Sequence, residues 1–310
     1  MWNDKRPDDI TLLKMLAKPK GQKIDVVIDT DTFNEIDDQY ALAYLIKSSE
    51  SLNLKAIYAA PFLNTKSSSP SDGMEKSYTE ILKVLSLMER NDLDHLVFKG
   101  SNQFLTAEDT AVSSPAAADL SRQAMNYSSD NPLYVIAIGA ITNIASAIIM
   151  NPEIINRIVI VWLGGNSLHW PDNKEFNLYQ DVASARVVLG CGVPVVLLPC
   201  SGVVSAFAAS GPELEYHLRG KNPLCDYLVD VTAKEAEEFG GGPAWTRTIW
   251  DVTAVAWLLD GDFMEDCLIH SPIPEYDHHY ATDQTRHMIR YVYHIKRDNL
   301  FADLFNKLSR

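Results

Sequence analysis

The chain has 310 residues, 46% of them hydrophobic, and a formal net charge of −14. That is ample apolar material for one sizeable core, while the acid excess, with no basic stripe to neutralise phosphates, argues against a nucleic-acid partner. No apolar run reaches the length of a membrane span, and the N-terminal "MWNDKRPDDITLLKMLAKPKGQK" lacks the apolar stretch of a signal peptide, so a soluble, cytoplasmic protein is expected.

After an N-terminal extension over residues 1–22, apolar β-branched runs alternate with helical patterns. Strands are predicted at Ile24–Asp29, Leu54–Ala60, His95–Lys99, Leu133–Ile138, Ile158–Leu163 and Val193–Pro199, with later ones near Cys267–His270 and Ile289–His294. Helices are predicted over about 38–48, 74–89, 141–150, 180–190, 223–238 and 249–259. The strands are nearly continuous in hydrophobicity, as in a parallel sheet covered on both faces. The expected fold is α/β, one domain over 1–310. It is an open, mostly parallel twisted sheet with helices on both faces and a ligand site at the carboxyl ends of the strands. Neither an internal repeat nor a long linker divides it. "LNTKSSSPSDG" (63–73) and "EFGGGPAWT" (238–246) are candidate mobile loops over a pocket. Cys191, Cys200, Cys225 and Cys267 lie far apart, with no C-x-x-C pair, and read as reduced, mostly buried thiols.

The stretch "DVVIDTDTFNEIDDQYALAY" (25–44) carries the chemistry. Asp29, Asp31, Glu35, Asp37 and Asp38 gather where the first strand hands over to a helix. Like charges so placed repel and raise one another's pKa unless a cation is shared among them. Hard oxygen ligands suit Ca²⁺ or Mg²⁺. An EF-hand is excluded: Phe33 stands where a ligand is needed, no loop glycine follows, and a strand precedes. Helix capping would account for Asp37 or Asp38 alone but not for the additional D-x-D at the strand end. No G-K-[ST] follows "FGGGPAWT" and no G-x-G-x-x-G is present, so neither a P-loop nor a dinucleotide cofactor is indicated.

"DTDTF" after a hydrophobic strand also resembles the nucleophile loop of the haloacid-dehalogenase superfamily. That would make Asp29 the nucleophile of a Mg²⁺-dependent phosphohydrolase. The pattern wants Thr or Val at Phe33 and places its own acid pair much later in the chain, so this reading ranks lower.

A second resemblance covers nearly the whole chain. "DTDTFNEIDD" before "QYALAYLI" resembles the D-T-D-x-G-x-D-D signature of the inosine-uridine-preferring nucleoside hydrolases. "AIGAITNIASAI" (137–148), "EFNLYQDVASARVVL" (175–189) and "IWDVTAVAWLL" (249–259) are similar to three further segments of that family, in the same order. The resemblance implies Ca²⁺-dependent hydrolysis of the N-glycosidic bond of ribonucleosides to free base and ribose, by a homo-oligomer (dimer or tetramer). By position, Asp31 would be both Ca²⁺ ligand and general base on the metal-bound water. Asp38 and Asp251 would supply further carboxylate ligands, and the Ile138 carbonyl would complete the shell. Asp37, Glu175 and Asn177 would grip the ribose hydroxyls, with Asn64 a further sugar contact.

Two departures stand out. The spacing from Asp31 to the D-D pair is two residues longer than the family's, within "TFNE", so Asn34 or Glu35 are alternative sugar contacts. Trp250 stands where many members carry a His before the late Asp, so the leaving-group acid of that subgroup is absent there.

The chemistry is coherent without the resemblance. Cleavage of an N-glycosidic bond passes through an oxocarbenium-like sugar, which clustered carboxylates stabilise. A divalent ion on the cis hydroxyls orients the ring and acidifies water, and Asp31 can take the proton. Trp245 and Trp250 are candidates for stacking on the base, against ordinary packing as the alternative. Asp251, on a helix apolar nearly all round, is expensive to bury unless paired or metal-bound. His278 and His279 are candidate proton donors and His169 a candidate contact on the ribose 5′ side, each equally readable as a surface residue. A non-catalytic, metal-dependent nucleoside- or ribose-binding protein remains the alternative outside enzymes.

Overall fold

The computed structural model describes Trp2 and residues 5–310. In chain order the strands are β1 (Ile24–Thr30), β2 (Leu52–Ala59), β3 (Val97–Lys99), β4 (Leu133–Ala137), β5 (Ile158–Leu163), β6 (Val195–Leu198), β7 (Ala208–Ser210), β8 (Thr246–Thr248), β9 (Met264–His270), β10 (Ile273–Pro274), β11 (Tyr280–Ala281) and β12 (Met288–Ile295). The α-helices are α1 (Asp9–Met15), α2 (Asp37–Lys47), α3 (Pro70–Leu87), α4 (Pro115–Gln123), α5 (Thr142–Met150), α6 (Phe176–Tyr179), α7 (Val182–Gly190), α8 (Gly211–Leu218), α9 (Pro223–Glu238), α10 (Val252–Trp257) and α11 (Arg297–Leu308).

One eight-stranded sheet runs in the order β3-β2-β1-β4-β5-β6-β12-β9. It is parallel throughout except that β9 pairs antiparallel with β12 at the edge. β7 with β8, and β10 with β11, form two separate antiparallel pairs.

The central strands β4, β5 and β6 are apolar along their whole length because both faces are covered. Every residue of β4, β5 and β6 is buried. Successive side chains point to opposite faces of a strand, so Val26 and Ile28 of β1 enter one core with α2, α3 and α8 to α11, while Val27 enters the other with α4, α5 and α7. The predicted open, mostly parallel sheet is therefore observed. Ile158–Leu163 coincides with its prediction, and the other sheet strands begin and end within a few residues of theirs. The helix expected over 249–259 is shorter, Val252–Trp257, because Asp251 occupies its N-terminal boundary. α1 lies inside the 1–22 segment. Asp8 caps it by accepting from the backbone N–H groups of Ile10 and Thr11, both at 3.0 Å, and Leu12 and Met15 are buried.

Strand order positions the site. From β1 the chain steps outward through β2 to β3, then returns to β4 on the other side of β1 and continues through β5 to β6. β1 and β4 are thus neighbours whose connections leave in opposite directions, and ligands of open α/β sheets bind in the crevice at such a switch. Among the described residues no helix is long and apolar enough to cross a membrane.

Candidate active site

β1 ends at Thr30 and β4 at Ala137, so Asp31 and Ile138 emerge side by side at the switch. The approach is close: a Cβ built on Gly139 would lie 3.2 Å from the Asp31 carboxylate carbon and 3.1 Å from the Ala60 methyl. A side chain at 139 would press on the acid, and glycine leaves this approach free.

The loop after Asp31 leads into α2, whose first turn carries Asp37 and Asp38 where exposed amides and the helix dipole favour negative charge. The Thr30 hydroxyl donates to Asp38 Oδ1 at 2.5 Å. α10 packs against α2 and brings in Asp251. One oxygen each from Asp37, Asp38 and Asp251 lie within 4.8 Å of one another, and these residues are 3%, 1% and 3% exposed. Asp31 faces the same cavity, of about 200 Å³, and among the described residues its buried Oδ2 has no hydrogen-bond partner.

These carboxyls hold their protons far more tightly than usual. Burial pushes Asp31, Asp37 and Asp251 well above the ordinary carboxylate range, with the negative charges of their neighbours adding to it. Burial also pushes Asp38 up to about 7 against the opposing Thr30 hydrogen bond. An arrangement this costly, with an orphaned oxygen, fits a shared cation, and an all-oxygen donor set suits a hard one.

The opposite wall comes from the segment after β5. Glu175 caps α6, accepting from the N–H groups of Asn177 (2.8 Å), Leu178 (3.0 Å) and Gly165 (2.7 Å). Burial nevertheless pushes its carboxyl up to about 7. The Asn177 amide nitrogen donates to the carbonyls of Ile138 (3.3 Å) and Leu163 (3.1 Å), which leaves Oδ1 for a ligand. Trp250 and Phe176 add two aromatic rings to the lining, and Lys174 a cation.

Eight expected site residues thus line the cavity: the carboxylates Asp31, Asp37, Asp38, Asp251 and Glu175 together with Ile138, Asn177 and Trp250. Asn64 and Trp245 do not. The longer loop interposes Asn34 between Asn64 and the cavity, and the Asn64 amide donates to Asn34 Oδ1 at 2.7 Å. Trp245 is half-buried, its indole so close to the start of α8 that a Cβ on Gly211 would lie 2.7 Å from the ring; it packs there instead. His169 and His279 are exposed and His278 lies edge-on to Tyr179; none lines the cavity. Asp29 does not line it either: it is buried, with Oδ1 accepting from the Asn143 amide at 2.7 Å, which denies it the nucleophile's position.

Sequence reasoning passed over Phe176, Asn166 and Ser201, and left Cys200 as an ordinary thiol, though all four line the cavity. Asn166, Cys200 and Ser201 follow the carboxyl ends of β5 and β6, so the rule that located Asp31 would have found them.

Residues 26–291 match the family model described as inosine-uridine preferring nucleoside hydrolase. The pyrimidine-specific ribonucleoside hydrolase RihA of Enterobacter sp. (strain 638) is 25% identical over 265 residues, covering 76% of this chain and 78% of that protein. The solved structure of a purine-preferring ribonucleoside hydrolase from Gardnerella vaginalis superposes with a TM-score of 0.73 at 19% identity, covering 92% of this chain and 98% of that one. A plant nucleoside hydrolase, PpNRh1, superposes with a TM-score of 0.71 at 18% identity, covering 92% and 99%. The resemblance read from four motifs is borne out, and the chain belongs to the inosine-uridine preferring nucleoside hydrolase family, enzymes that cleave N-glycosyl bonds.

Proposed function

We propose that this chain hydrolyses the N-glycosidic bond of ribonucleosides in a Ca²⁺-dependent reaction that yields free base and ribose. The observation that carries the reading is the unpartnered Asp31 oxygen in a cavity with three mutually close carboxylates at the sheet's switch point. Asp38 and Asp251 of the three-carboxylate cluster, with Asp31 and the carbonyl of Ile138 from the same cavity, would hold the ion; Asp37 is the third member of that cluster. When bound, Ca²⁺ supplies a grip on the sugar's cis hydroxyls and a more acidic water. Asp31 accepts the proton of the attacking water. The clustered negative charge favours the oxocarbenium-like sugar over the neutral nucleoside. Asp37, Glu175 and Asn177 Oδ1 accept hydrogen bonds from ribose hydroxyls and fix the ring against the base that must leave.

Trp250 and Phe176 give the base a flat aromatic wall. Trp250→Ala is expected to raise KM for nucleosides roughly 3- to 10-fold while leaving inhibition by free ribose unchanged. Equal weakening of nucleoside and ribose would show that Trp250 only packs.

The function itself is tested by ribose release from uridine, cytidine, inosine, adenosine and guanosine, with chelator and then with Ca²⁺ or Mg²⁺ restored. Release that chelation abolishes and Ca²⁺ restores is the expected result. No release from any nucleoside in the presence of Ca²⁺ would overturn the proposal.

A further inference from the structure

The loop that carries the two extra residues is pinned at Asn34 from three directions. The Asn34 N–H donates to the Asp31 carbonyl at 2.7 Å. Lys66 Nζ donates to the Asn34 carbonyl at 2.7 Å, and Asn64 Nδ2 donates to Asn34 Oδ1 at 2.7 Å. Lys66 is itself held by the buried Glu235 at 3.2 Å; Glu235 also pairs with Arg247, whose Nη2 reaches Glu35 at 3.4 Å. The loop is therefore tied to α9 and β8 by charge pairs centred on the buried Glu235.

Asparagine offers one backbone donor, one backbone acceptor, a side-chain acceptor and a side-chain NH₂. The first three are engaged, and the amide cannot be flipped, because the Asn64 donor requires an oxygen opposite it. What remains is Nδ2, on a side chain that lines the carboxylate cavity and is 6% exposed. Among the described residues it has no protein partner.

A lone NH₂ beside Asp31, Asp37, Asp38 and Asp251 calls for a ligand atom that gives up a proton to an acid while accepting one from the amide. A hydroxyl group does both. Asp37 follows three residues later in the first turn of α2; its oxygen belongs to the three-carboxylate cluster, and it is one of the residues assigned to the ribose hydroxyls.

We propose that Asn34 reads the sugar: Nδ2 donates to one hydroxyl of the ribose cis diol whose O–H in turn donates to Asp37, and Asn64 is the positioning residue that fixes Asn34. The inference rests on the nucleoside reading. It moves the sugar contact from Asn64 to a residue of the longer loop, and makes that loop part of the distinction between ribose and deoxyribose.

The test compares wild type, Asn34→Ala and Asn64→Ala on a ribonucleoside and its 2′-, 3′- and 5′-deoxy forms, by KM and kcat where a form is turned over and by competitive Ki where it is not. Asn34→Ala is expected to weaken the ribonucleoside roughly 3- to 10-fold, as for one lost hydrogen bond. The penalty should disappear with either the 2′- or the 3′-deoxy form and persist with the 5′-deoxy form. Asn64→Ala should show the same dependence at smaller size. An equal penalty on all four compounds, or none on the ribonucleoside, would overturn the assignment. Thermal unfolding of both variants separates a lost contact from a lost fold. If wild type releases no base, the hydrolase reading fails by itself. The comparison then runs as Ca²⁺-dependent calorimetric binding of ribose against 2-deoxyribose and 3-deoxyribose. There, an Asn34→Ala penalty on ribose that disappears with one of the two deoxyriboses upholds the contact, and an equal penalty on all three sugars or absence of ribose binding overturns it.

Discussion

Asp31→Ala is expected to lower kcat by roughly 10²- to 10⁴-fold, the range for loss of a positioned general base. Asp31 combines a buried carboxylate, an oxygen without a partner and a place at the carboxyl end of the strand beside Ile138. Asp37 is its rival, because the longer loop changes the register between the two acids. The loop does not displace Asp31, however: it leaves directly from β1, and its first turn closes on the Asp31 carbonyl through the Asn34 N–H at 2.7 Å. Asp31→Asn keeps the volume and removes the basic oxygen, so it should lose kcat nearly as severely while retaining sugar affinity through Asp37, Glu175 and Asn177. Steady-state kcat and KM for both variants, with thermal unfolding as the fold control, decide the point. If Asp31→Asn retains wild-type kcat and Asp37→Asn does not, the proton goes to Asp37.

How far this site could be read from sequence depended on whether a residue's role is set by its own segment or by what packs in front of it. β4 and β5 are legible because strands buried on both faces are apolar without interruption, and β1 keeps the apolar run Val26, Val27, Ile28 between its two acids. A run of acids at the end of such a strand has few explanations other than a ligand site. Asp251 was legible for the same reason, as an acid at the head of an apolar helix. Asn64 and Trp245 sit in loops where only the third dimension decides. Asn64 is one side chain away from the cavity because Asn34 stands between, and Trp245 turns to the bare backbone of Gly211. Nothing local to either segment announces its neighbour. The helices missed are α1, α4, α6, α8 and α11; of these α1, α6 and α8 are too short for a 3.6-residue repeat to stand out.

Removing the cation is expected to abolish turnover and to make stability fall as pH rises. The sign follows from the acids. In the unfolded chain they titrate near 3.9, whereas in the fold burial raises Asp38 to about 7 and Asp31, Asp37 and Asp251 well above the ordinary range. Between about pH 4 and 7 the metal-free native state thus binds more protons than the unfolded chain. Its stability declines through that window, and further wherever the most strongly raised acids still hold protons. A cation reverses the trend: it favours the ionised carboxylates, its binding releases protons, and its affinity grows with pH. At a free concentration one hundred times its dissociation constant, Ca²⁺ should contribute about 2.7 kcal/mol. Denaturation at pH 5 and pH 8, with chelator and with Ca²⁺, should show curves that converge in acid and diverge in base. Asp251→Asn removes one buried charge, so the metal-free form should gain stability at pH 8 while the response to Ca²⁺ shrinks and activity is lost. Parallel pH curves with and without Ca²⁺ would mean that the acids settle their repulsion by sharing protons alone, and the case for a shared cation would fall with them.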